Sequence, residues 1–335
     1  MKILFESYSN VMQGFAGGVS MRISKLTKYL NSEGAEVKLF NKWEDKIEDY
    51  DIIHIFKVNI DNYSLISYAK SMKKKIVVSS IVPLENKARI ILCRLLYKIV
   101  PVKTTYKIMN DILDMADVII AQTSKEAGFI EKYYKISHKK IHIIPNGVNE
   151  NIIDEYNQNY KSENKNTVLY VGRFDRNKNQ LSLIRALKNS DIPIVFVGGS
   201  IPTEKDYYDK CLEEATPNMK FMGWLSNDSD QLMKLYSKAK VVTLLSHKEI
   251  FGNALIEGGA IGANLVVTKE LPVKEWGIEN NCITVNSHDV NEIRKAILKA
   301  YNKPVDLDLP KYIQEKFSWL SVAKEYISIY EKLYN

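Results

Sequence analysis

The chain has 335 residues, 45% of them hydrophobic and 26% charged, with three cysteines and a formal net charge of +7. That length suits two domains rather than a single core, and that balance excludes disordered, collagen-like and coiled-coil architectures. No apolar run approaches the roughly 20 residues of a bilayer span. The cysteines (Cys93, Cys211, Cys282) have no CxxC spacing, which argues against a disulfide framework. The opening MKILFESYSN has no signal-peptide core, so a cytoplasmic location is expected. Charge is shared unevenly. Residues 1–145 hold 23 Lys and Arg against 15 Asp and Glu, whereas residues 146–335 hold 24 against 25. A basic half beside a neutral one anticipates an anionic partner for the first.

Along the chain, short apolar runs rich in β-branched residues alternate with longer amphipathic stretches. The first half predicts strands at 3–5, 37–40, 52–56, 76–80, 118–122 and 141–144. The second half predicts them at 168–172, 194–198, 220–222, 241–245, 265–268 and 283–285. Runs such as IVFV and KVVTLL do not alternate polar with apolar, as expected of strands covered on both faces of a parallel sheet. Helices are predicted at 19–32, 124–134, 179–189, 228–239 and 290–302, with Thr123 and Glu126 forming a capping box for the second. The closing segment places Trp319, Val322, Tyr326, Ile329 and Leu333 on one helical face behind a Ser318 cap. Two βαβ series of six strands follow, hence an α/β protein of two doubly wound, Rossmann-like domains facing across a cleft. The expected divisions are a first domain at 1–148, joined by the returning helix 318–335, a linker at 149–166, and a second domain at 167–317. The linker reading rests on the Asn-rich, polar stretch after PNGV.

Ligands of such sheets bind beyond the C-terminal strand ends, so chemistry is sought there. In 246–268, Glu249 follows the strand VVTLL, Phe251 and Gly252 open a helix, and Glu257 lies on its first turns. A helix start offers unpaired N–H groups to phosphate or sugar oxygens, and two acceptor-only carboxylates match vicinal hydroxyls. In 167–187, Arg173 follows a strand ending at Gly172, and Lys178 precedes a helix. Two cations there suit a diphosphate without a metal. On spacing alone, each pattern also fits a plain surface helix or loop. His54, ending the third strand, is a candidate acceptor-side residue, although a lone histidine in a strand is more often simply packed. The five histidines show no ligand-like spacing, so no metal site is expected.

The ordered set of these motifs resembles the family 4 retaining glycosyltransferases, of GT-B architecture. The resemblance runs from Gly17–Gly18 through PNGV (145–148), YVGR (170–173) with Lys178, VFVGG (195–199), FMGW (221–224) and Glu249…Glu257 to the closing helix. It implies that Arg173 and Lys178 bind the diphosphate of a nucleotide sugar, UDP expected over GDP, and stabilise it as leaving group. It also implies that Glu249 holds donor-sugar hydroxyls and Glu257 the ribose. Gly17 and Gly18 would let a first-domain loop approach the diphosphate, and backbone amides at Phe251, Gly252 and Asn253 would complete the donor site. No cofactor is implied, only transfer to a glycan or lipid-linked acceptor in cell-surface polysaccharide or glycolipid synthesis. The chain departs from the family at Leu245, Ile250, Asn179, Gly258–Gly259 and Ser79–Ser80.

Residues 87–107 carry six basic residues and no acidic one. At helical spacing Lys87, Arg94 and Lys98 edge an apolar face of Ala88, Ile91, Leu92, Leu95, Leu96 and Ile99, a pattern suited to anionic lipid on the inner membrane face. The competing readings are a nucleotide-sugar epimerase of the same architecture and a non-catalytic nucleic-acid-binding protein. The first would need its own acid–base set. The second lacks a recognition helix or stacking motif, so no nucleic acid is expected.

Overall fold

The computed structural model describes residues 1–9, 11, 18–97, 99, 103–159 and 165–335. The chain divides into two compact units, Met1–Asn146 with Trp319–Asn335, and Gly147–Ser318.

The first unit is built on β1 (Lys2–Glu6), β2 (Glu36–Leu39), β3 (Ile52–Phe56), β4 (Lys75–Ser79), β5 (Val118–Ala121) and β6 (Ile141–Ile143). They form a wholly parallel sheet in the order β2-β1-β3-β4-β5-β6. One face packs on helices Tyr63–Ser71 and Thr105–Met115, whose Ile66, Ala69, Ile112 and Leu113 are fully buried. Helices Gly18–Ser32 and Trp319–Tyr334 supply the other core, through Leu26 and Leu30 and through Trp319, Val322, Tyr326 and Tyr330. Covering both faces explains why β3 reads IIHIF without a polar alternation.

The second unit repeats the plan with β7 (Thr167–Val171), β8 (Ile194–Val197), β9 (Met219–Phe221), β10 (Ala239–Leu244), β11 (Asn264–Thr268) and β12 (Cys282–Val285). Its order is β12-β11-β10-β7-β8-β9, again parallel throughout. Strand order reverses between β7 and β10, which pair directly. Crossovers leave that seam in opposite directions, the place where ligands of doubly wound sheets generally bind.

Two sequence expectations change. The stretch 149–166 is not a plain linker, because it contains the helix Glu150–Asn159. Asn149 caps it, its side chain accepting from Asn151 N–H at 3.3 Å, and Ile152 anchors it, 1% exposed in the second unit's core. Six asparagines mask those two signals. The helix expected at 124–134 ends at Phe129 and continues as a π turn over Ile130–Tyr134. Thr123 does accept from Glu126 N–H at 3.2 Å, but the Glu126 carboxylate binds Gln122 N–H, the Ser80 hydroxyl and Val82 N–H. It thereby ties together the loops after β4 and β5.

The Gly258–Gly259 pair in helix Asn253–Ala260 has a packing cause. A Cβ on Gly258 would lie 2.5 Å from the Cβ of Val242 in β10, a branched side chain with nowhere to turn. At Gly259 the nearest atom, 2.4 Å away, is the movable end of Ile313. We expect Gly258→Ala to lose about 1–3 kcal/mol by overpacking. Gly259→Ala should stay near neutral, because the helix gains about 1 kcal/mol from losing a glycine. Urea unfolding of both variants checks the contrast, and equal stabilities would refute it.

Candidate functional site

The site begins where β7 stops. Phe174 is fully buried in an aromatic cluster with Phe196, Phe221 and Tyr208, and its N–H donates to Gly199 O, so the backbone at 173–175 is pinned. Asp175, 5% exposed, turns the chain. Its Oδ1 accepts from Lys178 N–H at 2.8 Å, and its Oδ2 accepts from Arg173 Nε at 2.8 Å and lies 2.7 Å from Arg173 Nη2. Asn179 then takes up the left-handed conformation at φ +63, where glycine is the commoner choice. Asparagine tolerates that region, and here its amide donates to Leu245 O and, at 2.7 Å, to Ser287 O. Replacing glycine therefore adds a tether without adding a large strain. Helix Gln180–Leu187 follows, and Gln180 donates back to Arg173 O at 2.8 Å.

The other wall follows β10. His247 N–H donates to Asn177 O at 2.8 Å, while the Asn177 side chain accepts from Lys248 N–H and donates to Lys248 O. These three bonds stitch the two loops together and bring Lys178 onto Glu249. Lys178 Nζ forms an ion pair with Glu249 Oε2, which also accepts from the Ser246 hydroxyl at 3.2 Å. Both side chains are largely buried, and Tyr170, fully buried, donates its hydroxyl to Lys178 O. Arg173 is half exposed.

Gly252, in the left-handed conformation at φ +71, caps helix Asn253–Ala260. A side chain there would also strike Leu244 at 2.8 Å. The Phe251 side chain is buried against Trp276 at 5.0 Å between ring centres, so only its backbone is available to a ligand. Glu257, one turn into the helix, accepts from the Tyr236 hydroxyl at 2.6 Å. Burial, and next the Glu257 charge, push that phenol well above its usual range, so it remains a donor. His247 stacks on His288 at 4.3 Å and bonds the Ser287 hydroxyl through Nδ1. Burial and then the second imidazole hold its pKa down.

Arg173, Lys178 and Glu249 thus gather at the loops beyond β7 and β10. Sequence reasoning passed over Asp175 and Asn177. Their signal was the run DRNKN, in which short polar side chains mark a turn whose own backbone they satisfy.

The first unit is different. His54 is not an acceptor-side group, because it is fully buried. Its Nδ1 lies 2.6 Å from the Tyr330 hydroxyl and its Nε2 2.9 Å from the Ser79 hydroxyl. Neither nitrogen is left for a substrate. Gly18 is exposed at the start of helix Gly18–Ser32, and Gly17 lies outside the described residues.

Residues 152–316, nearly all of the second unit, match the family model described as Glycosyl transferases group 1. A probable sucrose-phosphate synthase of Thermosipho melanesiensis is 27% identical over 65% of this chain and 55% of its own length. The capsular polysaccharide biosynthesis glycosyltransferase CapH of Staphylococcus aureus is 32% identical over 39% of this chain and 38% of its own. The chain spans about half the length of the curated relatives it matches. The solved structure of Anabaena HepE in complex with UDP-glucose superposes with a TM-score of 0.72 at 16% identity, over 99% of this chain and 100% of that one. The fold is that of the GT-B glycosyltransferases.

The buried imidazole makes stability pH-dependent. Burial, and next the Arg22 charge, hold His54 well below its usual 6.5, so the folded protein stays neutral there while the unfolded chain binds a proton. Stability is therefore lost as pH falls below about 6.5, by at most about 1.4 kcal/mol per pH unit for this one group. Denaturant unfolding at pH 7 and 5.5 should show a smaller drop in His54→Gln than in the parent protein. Equal drops would remove His54 as the source.

Proposed function

We propose that this protein is a family 4-type retaining glycosyltransferase, moving a hexosyl or related sugar from a nucleoside diphosphate sugar to a glycan or lipid-linked acceptor. The observation that carries the reading is the convergence of Arg173, Lys178 and Glu249 on the seam between β7 and β10. The match of 152–316 to group 1 glycosyltransferases supports the same reading. UDP as the nucleotide draws support from HepE, solved with UDP-glucose. CapH, a capsular polysaccharide enzyme, supports a role in surface polysaccharide assembly.

The chemistry follows from charge. As the glycosidic bond to phosphate breaks, the sugar becomes oxocarbenium-like and negative charge grows on the departing diphosphate. Arg173 offers a fixed planar fork and Lys178 a mobile point charge to that growing charge, beside the positive end of helix Asn253–Ala260. Preorganised cations stabilise it in the transition state without a metal ion. Lys178 is paired with Glu249. A diphosphate exchanges that partner: the ammonium turns to phosphate, and the released carboxylate accepts sugar hydroxyls. Glu257, oriented by Tyr236, takes the ribose hydroxyls. Attack from the face the leaving group vacates, with donor phosphate accepting the proton, retains configuration.

The same reading places the protein on the inner face of the cytoplasmic membrane. Helix Lys87–Leu96 buries Ile90 but leaves Ile91, Leu92, Leu95 and Leu96 roughly half exposed, and Ile99 beyond it is 80% exposed. Lys87 on that helix is exposed, whereas Arg94 is half-buried and donates to Tyr133 O at 3.2 Å, and exposed Arg89 takes its place as the second cation; no acidic residue occurs from 87 to 107. An anionic bilayer is the partner that satisfies both properties, since apolar side chains enter the acyl boundary and each nearby cation contributes about 1 kcal/mol. Lys98 lies outside the described residues.

Two outcomes are expected. Nucleoside diphosphate release from a panel of nucleotide sugars, UDP-glucose included, should fall about 10²–10³-fold in kcat for Arg173→Ala and for Lys178→Ala, by analogy with the loss of one oxyanion-hole donor. Parental rates in both would sink the donor-site reading. Separately, the protein should float with phosphatidylglycerol vesicles, less so in high salt and hardly at all as Leu92→Ser/Leu95→Ser. Absence of binding by the parent would remove the membrane surface.

A further inference from the structure

The cations of the proposed donor site are held in two different ways. Lys178 meets its carboxylate through a flexible stem from another loop, whereas Arg173 meets Asp175 two residues away on a backbone pinned by buried Phe174. Asp175 is nearly buried and both its oxygens are occupied. Its Oδ2 grips the Nε and Nη2 side of the guanidinium, and no described residue engages Nη1. An acid beside a phosphate-binding arginine weakens the local positive field. Its presence is explained by what it does to geometry: it removes the rotational freedom of a long side chain that is otherwise half exposed.

We propose that Asp175 is the positioning residue of this site. It fixes Arg173 so that the Nη1 side of the fork remains open to the diphosphate, and through Oδ1 it sets the turn that carries Lys178. This rests on the donor-site reading above and adds to it a residue that does not touch the substrate.

Asparagine separates the two duties. In Asp175→Asn the amide oxygen still accepts from Lys178 N–H, so the turn survives, while the amide NH₂ cannot accept from Arg173. The full-length variant should keep its thermal midpoint and its affinity for uridine. It should lose about 10–10²-fold in kcat, the scale of a misplaced catalytic group, together with affinity for UDP. A purely structural role would shift the midpoint and spare the difference between uridine and UDP. The decisive step is a double-mutant cycle: in an Arg173→Ala background, Asp175→Asn should cause no further loss. Should the asparagine variant fold poorly, Asp175→Ser, whose hydroxyl also accepts from Lys178 N–H, replaces it in the cycle. A full additional loss on top of Arg173→Ala overturns the proposal, as does parental activity of Asp175→Asn when Arg173→Ala is impaired. If Arg173→Ala itself behaves as the parent, the donor-site reading fails and the role of Asp175 falls with it.

Discussion

One side chain sets the geometry on which the site depends. Lys178 and Glu249 lie 71 residues apart, on crossovers that leave the sheet in opposite directions. What joins them is the Asn177 amide, which both accepts from and donates to the backbone of Lys248, helped by His247 N–H on Asn177 O. A carboxylate could accept but not donate there, and an ammonium could donate but not accept. The parallel sheet brings two strand ends to adjacent positions, and this primary amide turns that proximity into a fixed distance between an ammonium and a carboxylate.

These contacts leave the charges after β7 and β10 paired. Arg173 faces Asp175 and Lys178 faces Glu249, so each cation has a counter-ion. The pairs differ in what they permit. A guanidinium gripped from a pinned, buried backbone keeps one orientation, while an ammonium on a four-carbon stem changes partners by rotation. On the proposed reading, a site that binds a diphosphate and then releases it would be served by one cation of each kind. The constant one would orient, and the exchangeable one would limit how tightly product is held.

Much of this was legible along the chain, and the parts that were not share a cause. Strands such as IVFV and NLVVT declare themselves because burial on both faces leaves a continuous apolar run. Arg173, Lys178 and Glu249 were visible as charges placed after strands. Asp175 and Asn177 were not, because a short polar residue in a turn reads the same whether it satisfies its own backbone or steers a neighbouring cation. Helix Glu150–Asn159 was hidden by composition, since asparagine signals both a loop and a helix cap, and the deciding contact of Ile152 is tertiary. The sequence left His54 open between a packed and an acceptor-side role for a comparable reason. Tyr330, the residue that occupies its Nδ1, comes 276 positions later.

The histidine also shows how two sheets of like topology diverge in use. In the first unit, His54, Ser79, Tyr326, Tyr330 and Arg22 form a buried chain of polar contacts joining helix Trp319–Tyr334 to β3 and β4. Such a network is costly to bury and stabilises only when its members meet in one register, so it specifies how the last helix seats on its sheet. In the second unit the charged groups after β7 and β10 meet in pairs, Arg173 with Asp175 and Lys178 with Glu249. The same parallel framework therefore supports opposite uses of polarity. In the first unit it locks a terminal helix in place, and in the second, on the proposed reading, it would hold charges for a ligand.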